Sequence, residues 1–250
     1  MFGTHKQLKM GNTHKQNSVE YYNKGVIESA MNNYQSAVTH FSMAIDAAPN
    51  DPDAYNERGF AKFHLKDYNG AIEDYTKAID LKPKNLVIYL RRGIIKHELG
   101  DYEGSVMDYS KAIEAFPNNA FACLLRGVEK QFLNDFRSAI EDLNTVIEIN
   151  PNDPFAYEQR AGMKVKLKDT QGAIEDFNTV IKIDPKNKSA YCSLGLLKIG
   201  IGQIRNGCSD LNKSKELGDT NAGEMIKKYC GCVSLDGVET GLSLIWVKPK

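Results

Sequence analysis

Small, bulky and charged residues return to the same places along this chain every 34 residues, and Pro49, Pro83, Pro117, Pro151 and Pro185 mark the period. A proline has no amide donor and restricts the residue before it, so each one ends a helix and opens a short turn. Twelve residues before these prolines stand Ala37, Ala71, Ser105, Ala139 and Ala173; twenty-four before them stand Gly25, Gly59, Gly93, Gly127 and Ala161. Small side chains at such spacing mark places where two helices touch. Phe41, Tyr75, Tyr109, Leu143 and Phe177 recur as a bulky layer, followed three residues later by Ala44, Ala78, Ala112, Val146 and Val180. Large groups facing small ones interdigitate without voids. Within each period a break such as Lys66-Asp67-Tyr68 or Leu99-Gly100-Asp101-Tyr102 separates two helices, with an aspartate placed to cap the second. Asp51-Pro52 and Asp153-Pro154 open first helices in the same manner.

This set of positions resembles the tetratricopeptide repeat family, whose unit is a 34-residue helix-turn-helix with small, aromatic and proline sites in this order. The resemblance covers repeats 18–51, 52–85, 86–119, 120–153 and 154–187, with a degenerate sixth at 188–221 that has Gly207, Ser214 and Asp219 where alanine, alanine and proline stood before. It implies an all-α fold, an α-solenoid wound as a right-handed superhelix of about six helix pairs in one elongated domain. A capping helix over 220–230 is expected to close its last face, preceded at the other end by a polar arm over 1–17 without regular structure and followed by a tail over 231–250.

The resemblance also implies a non-catalytic adaptor that holds a peptide or protein segment along the inner face formed by the first helices. On that face Phe60, Phe63, Leu90, Ile94, Phe121, Leu124, Val128 and Phe155 are the expected apolar contacts, and Asn56, His64, Arg91, His97 and Gln131 are expected to fix orientation. Family members that grip the acidic C-terminus of a chaperone use paired cations on this face; here those sites hold Tyr22, Val26, Glu57, Val87 and Arg91, of which only Arg91 fits. A chaperone tail is therefore not the expected partner. Two other roles stay open: a structural homo-oligomer built through the groove or the tail, and a regulatory subunit of a separate enzyme.

A charged motif repeats as well. Arg58, Arg92, Arg126 and Arg160 are each followed four residues on by Lys62, Lys96, Lys130 and Lys164, and the second helices carry Asp74, Asp108, Asp142 and Asp176. Its repetition favours a structural ladder in which the aspartates bridge adjacent units; an anion-binding stripe is the alternative.

Composition narrows the rest. Lysine plus arginine and aspartate plus glutamate both number 32 in 250 residues, which gives no bias towards nucleic acid or an anionic membrane. No apolar run nears the roughly 18 residues that span a bilayer, and 1–17 lack a signal peptide's apolar centre, so a cytoplasmic protein is expected. The five cysteines are scattered, as in a reducing compartment, with Cys123 and Cys208 at core positions and Cys230-Gly231-Cys232 too small a set to hold a metal. No catalytic constellation, metal or cofactor is expected. His64 and His97, with Glu98 beside the second, sit on neighbouring first helices without a nucleophile, and Gly200-Ile201-Gly202 falls at a turn between helices. Beyond residue 232, Leu242, Leu244, Ile245, Trp246 and Val247 form an apolar run suited to docking on a groove.

Overall fold

The structure, a computed structural model, describes residues 3–231, with side chains from residue 16 onward. The described residues form thirteen helices and no strand. They fall into two compact units, residues 1–149 and 150–250, where one continuous domain is expected. A stack in which each pair touches only its neighbours has no common centre, so any turn between pairs can serve as the division.

The first unit holds α1 (Gly3–Ala30), α2 (Tyr34–Ala47), α3 (Pro52–His64), α4 (Tyr68–Leu81), α5 (Leu86–Glu98), α6 (Tyr102–Ala115), α7 (Ala120–Phe132) and α8 (Phe136–Ile149). The second holds α9 (Pro154–Lys166), α10 (Thr170–Ile183), α11 (Lys188–Gly200), α12 (Ile204–Glu216) and α13 (Ala222–Tyr229). Within each unit every helix packs on the next in sequence. Residues 3–17 extend α1, correcting the expectation of an unstructured arm. No proline occurs before Pro49, and lysine, glutamine, leucine and methionine in this stretch all favour helix. Residues 232–250, which include Cys232 and the apolar run over 242–247, lie outside the described residues.

The periodic small and bulky positions make the core. Ala37, Ala71, Ser105, Ala139 and Ala173 are wholly buried, as are Phe41 and Leu143, while Tyr75 and Tyr109 are nearly so. Ser105 fits among the alanines because its hydroxyl donates to the Gly93 carbonyl at 2.9 Å. Burial pushes the Tyr109 phenol up to about 12. The glycines are fitted to these rings: a methyl group built on Gly93 would lie 2.5 Å from the Tyr109 ring, whereas at Gly127, opposite Leu143, the nearest atom is 3.3 Å away.

Turns inside the pairs share one geometry. Asn32, Lys66, Gly100, Asn134, Lys168 and Gly202 occupy the same place in successive repeats, and all have φ between 58 and 83°. This left-handed residue terminates the first helix and turns the chain into the second. Where the next residue is aspartate it caps the second helix, as when Asp67 and Asp101 accept from the amides of Gly70 and Gly104 at 3.0 and 2.9 Å. Gly202 belongs to this series, which gives Gly200-Ile201-Gly202 its structural role.

The charged motif is structural, with one correction to its wiring. Each aspartate pairs inside its own repeat and does not bridge to the next: Asp108 accepts from Arg92 Nη2 at 2.6 Å and lies 2.8 Å from Lys96 Nζ. The same triad recurs as Arg58–Asp74–Lys62, Arg126–Asp142–Lys130 and Arg160–Asp176–Lys164. The link between repeats runs through the arginine, whose Nη1 donates to a hydroxyl on the preceding second helix: Arg58 to Ser42, Arg92 to Thr76 and Arg126 to Ser110. Each lysine also donates to a carbonyl of its second helix, as Lys96 does to Gly104 at 3.2 Å. Helix geometry sets like charges side by side at this spacing; the aspartate between them turns repulsion into a clamp.

Cys208 and Cys230 depart from the expected scatter of free thiols. Cys208 is buried, but as half of a disulfide with Cys230, their Cα atoms 5.8 Å apart, and not as a free core thiol. The bond ties α13 to α12 within an apolar cluster with Leu211, Cys192, Leu196, Ile199, Met225 and Ile226. Scattered spacing concealed it because the partners meet only once α13 folds back on α12.

Candidate functional site

The first helices of the first unit, α1, α3, α5 and α7, carry most of the expected contact residues. The second position of each repeat holds Val19, Asp53, Val87 and Phe121 in that unit, and three of these are large apolar groups left open: Val19 is 56% exposed, Val87 47% and Phe121 53%. Val87 and Phe121 lie at the starts of α5 and α7 and Val19 past the middle of α1, and none of the three belongs to the buried ring-and-alanine core. Ile94, Leu124, Val128 and Gln131 are half-buried on the same helices. Phe63 and Leu90 differ, since both pack against the cluster around Tyr75 and Ile88 and contribute to the core. Phe155 is exposed on α9, in the second unit.

A polar network crosses α3 and α5. Arg91 Nη1 donates to Asn56 Oδ1 and to Glu57 Oε1, both at 3.1 Å, and Asn56 in turn donates to Glu57 at 2.7 Å. The guanidinium lies 4.6 Å from the centre of the Phe60 ring. Arg91 is thus held by a carboxylate of its own chain. Nearby, burial pushes the Tyr22 phenol up, with Glu57, Asp53 and Asp51 adding to the shift.

His64 and His97 join different clusters. His64 stacks on Tyr34 with ring centres 4.3 Å apart and meets the edges of Phe60 and Phe63 at 4.5 and 5.4 Å. His97 Nδ1 lies 3.0 Å from the carboxylate of Glu129 on α7. Its ring meets Phe132 at 5.4 Å and Tyr102 at 5.7 Å, and those two rings stack at 4.6 Å. Glu129 has a side chain only 5% exposed.

Four of these residues were not visible as site residues in the sequence: Glu129, Tyr34, Tyr102 and Phe132. For Glu129 a signal existed. The tenth position of the other repeats holds Ile27, Ala61, Ile95, Met163 and Leu197, so one carboxylate replaces an apolar group in a series of six. Among the described residues, no group of three or more histidine, cysteine, aspartate or glutamate side chains is placed to hold a metal ion. No described helix is long and apolar enough to cross a membrane. Burial pushes the free thiols of Cys123 and Cys192 up, which holds them as thiols.

Models of the tetratricopeptide repeat match residues 21–51, 52–85, 86–119, 122–153 and 156–187. No curated protein matches the chain. Among solved structures, MamA is 24% identical with a TM-score of 0.62, over 68% of this chain and 97% of its own. YrrB, described as a TPR protein with an unusual peptide-binding site, is 21% identical with a TM-score of 0.66, over 75% of this chain and 97% of its own. The C-terminal part of a TPR repeat-containing protein from Cytophaga hutchinsonii is 18% identical with a TM-score of 0.73, over 84% of this chain and 88% of its own. At such identities the likeness speaks for the fold.

Proposed function

The chain belongs to the tetratricopeptide repeat family, and from that premise we propose that it is a non-catalytic adaptor whose α1–α3–α5–α7 face binds a peptide or protein segment. The carrying observation is the row of open apolar side chains at Val19, Val87 and Phe121, which recurs where the internal packing does not use it. Apolar groups grouped on one face of a stable fold mark a contact surface. Half-buried Ile94, Leu124 and Val128 extend that surface between the helices.

Magnitudes favour a segment that spans several repeats. A fully buried valine or phenylalanine yields about 1.5–3 kcal/mol, and association costs at least about 4 kcal/mol. Three anchors alone give weak binding, so micromolar affinity, about 8 kcal/mol, calls for contacts on several helices at once.

Selection of randomised dodecapeptides displayed on phage against the full chain tests the reading. Peptides recovered on the wild-type protein should lose at least about tenfold in affinity to Val87→Ser/Phe121→Ser, whose sites are open enough to leave the fold unchanged. Unchanged affinity would move the binding surface off this face.

A further inference from the structure

The pair formed by His97 and Glu129 departs from the repeat in a way the fold does not require. Five other repeats build the same turn of helix with an aliphatic side chain at the position of Glu129, and the fifth repeat has Val165 at the position of His97. Burying a carboxylate in place of such a group costs desolvation that one hydrogen bond does not fully offset. The pairing has a chemical consequence. A carboxylate only accepts, so Nδ1 carries the proton that joins them, and in the neutral ring Nε2 is left as an acceptor. His97 keeps 35% of its side chain exposed, beside the exposed residue Phe132 and the Tyr102 ring stacked on it.

An acceptor nitrogen, a carboxylate behind it and aromatic faces beside it all attract one kind of group, a cation with hydrogens to donate. The neighbouring cations are already engaged on the side of the second helices: Lys96 with Asp108, and Arg126 and Lys130 with Asp142. Glu98, next to His97, adds a further exposed carboxylate. The molecule holds an occupied example of the same chemistry one repeat away, where a phenyl ring, a carboxylate and an amide oxygen receive the Arg91 guanidinium.

We propose that His97, held by Glu129 as a positioning residue, forms a subsite on the α5–α7 face for a basic side chain, arginine or lysine, of the bound segment. This rests on the reading of that face as the binding surface. The anchors at Val87 and Phe121 would then set affinity, and the His97 subsite would set which segment is chosen.

The displayed dodecapeptide selection decides both points separately. Sequences recovered on the full chain should place arginine or lysine beside apolar residues. In a synthetic copy of a recovered peptide, replacing the arginine by citrulline, which keeps the shape and removes the charge, should weaken binding to the wild type about tenfold. The same replacement should change binding by less than twofold on His97→Val/Glu129→Met, which borrows both residues from the fifth repeat and should melt no lower than wild type. Glu129→Gln, which still accepts from Nδ1, should restore part of the arginine preference. Recovered peptides without a basic residue, or an equal citrulline penalty on both proteins, would overturn the subsite while leaving the apolar face standing. Recovery of no peptide at all would overturn both.

Discussion

At the scale of single residues, the places where a glycine meets a ring tolerate little. Gly93→Ala should destabilise the first unit by about 1–3 kcal/mol, because the added methyl runs into the buried Tyr109 ring and outweighs the roughly 1 kcal/mol that alanine brings to a helix. Gly127→Ala, facing Leu143, should be close to neutral. Thermal unfolding of the two variants side by side checks the contrast; the fifth repeat, with Ala161 beneath Phe177, shows that a ring placed for the methyl accepts it. A second residue-scale expectation concerns Lys66, whose φ of 62° suits glycine better than lysine. Lys66→Gly should raise stability by about 1 kcal/mol, read from the same melts, since Gly100 and Gly202 already serve this turn in other repeats. These turn positions were legible only in part from the sequence. Glycine announces a left-handed turn, but asparagine and lysine at the same register do not, and the repeat phase had to supply the equivalence.

Between helices, the buried triads are the chief determinant of how each pair closes. Asp108→Ala would strand Arg92 and Lys96 without their carboxylate and should cost about 3–5 kcal/mol, visible as loss of the cooperative helical transition followed by circular dichroism. The sixth repeat shows a lighter version, in which Leu194 stands at the arginine position and Lys198 alone pairs with Asp210 at 2.7 Å. At the end of the second unit Asp219, in place of the periodic proline, lies 2.8 Å from Ser214 Oγ and accepts from the Asn221 amide at 2.9 Å. The Ser214 hydroxyl, followed by that amide, holds its carboxyl below the usual aspartate range. A depressed pKa in the folded state means the contribution is complete above the unfolded value and is lost as pH falls through the folded one. Stability of α12 and α13 should therefore decline below about pH 4, and Asp219→Asn should remove that part of the acid dependence in amide exchange measured across pH.

Taken whole, the chain is two stacks of helix pairs, and the described parts of each have their own core. Residues 1–149 expressed alone should keep their helical spectrum and a cooperative melt, because the clusters around Phe41 and Tyr75 lie wholly within them. A disordered fragment would show that the division carries no independent stability. Function belongs to this scale as well. Val87 and His97 stand on α5 and Phe121 on α7, and the proposed surface exists only if stacking brings the two helices side by side.

The amino-acid sequence by itself determined the period, the helix pairs and the identity of the core. Stacking places the same demand on every repeat, so Gly59, Ala71, Tyr75 and Ala78 announce themselves by recurrence. It also contained the departures, Glu129 among aliphatic residues and Leu194 among arginines, without saying what they meet. Only the tertiary structure decided the partners: Arg92 with Asp108, 16 residues on; Cys208 with Cys230, 22 on; His97 with Glu129, 32 on. The physical reason is one of range. Periodicity reports the face of a helix on which a residue lies, whereas a specific contact depends on how two helices are rotated and spaced against each other, which the packing of the whole pair sets.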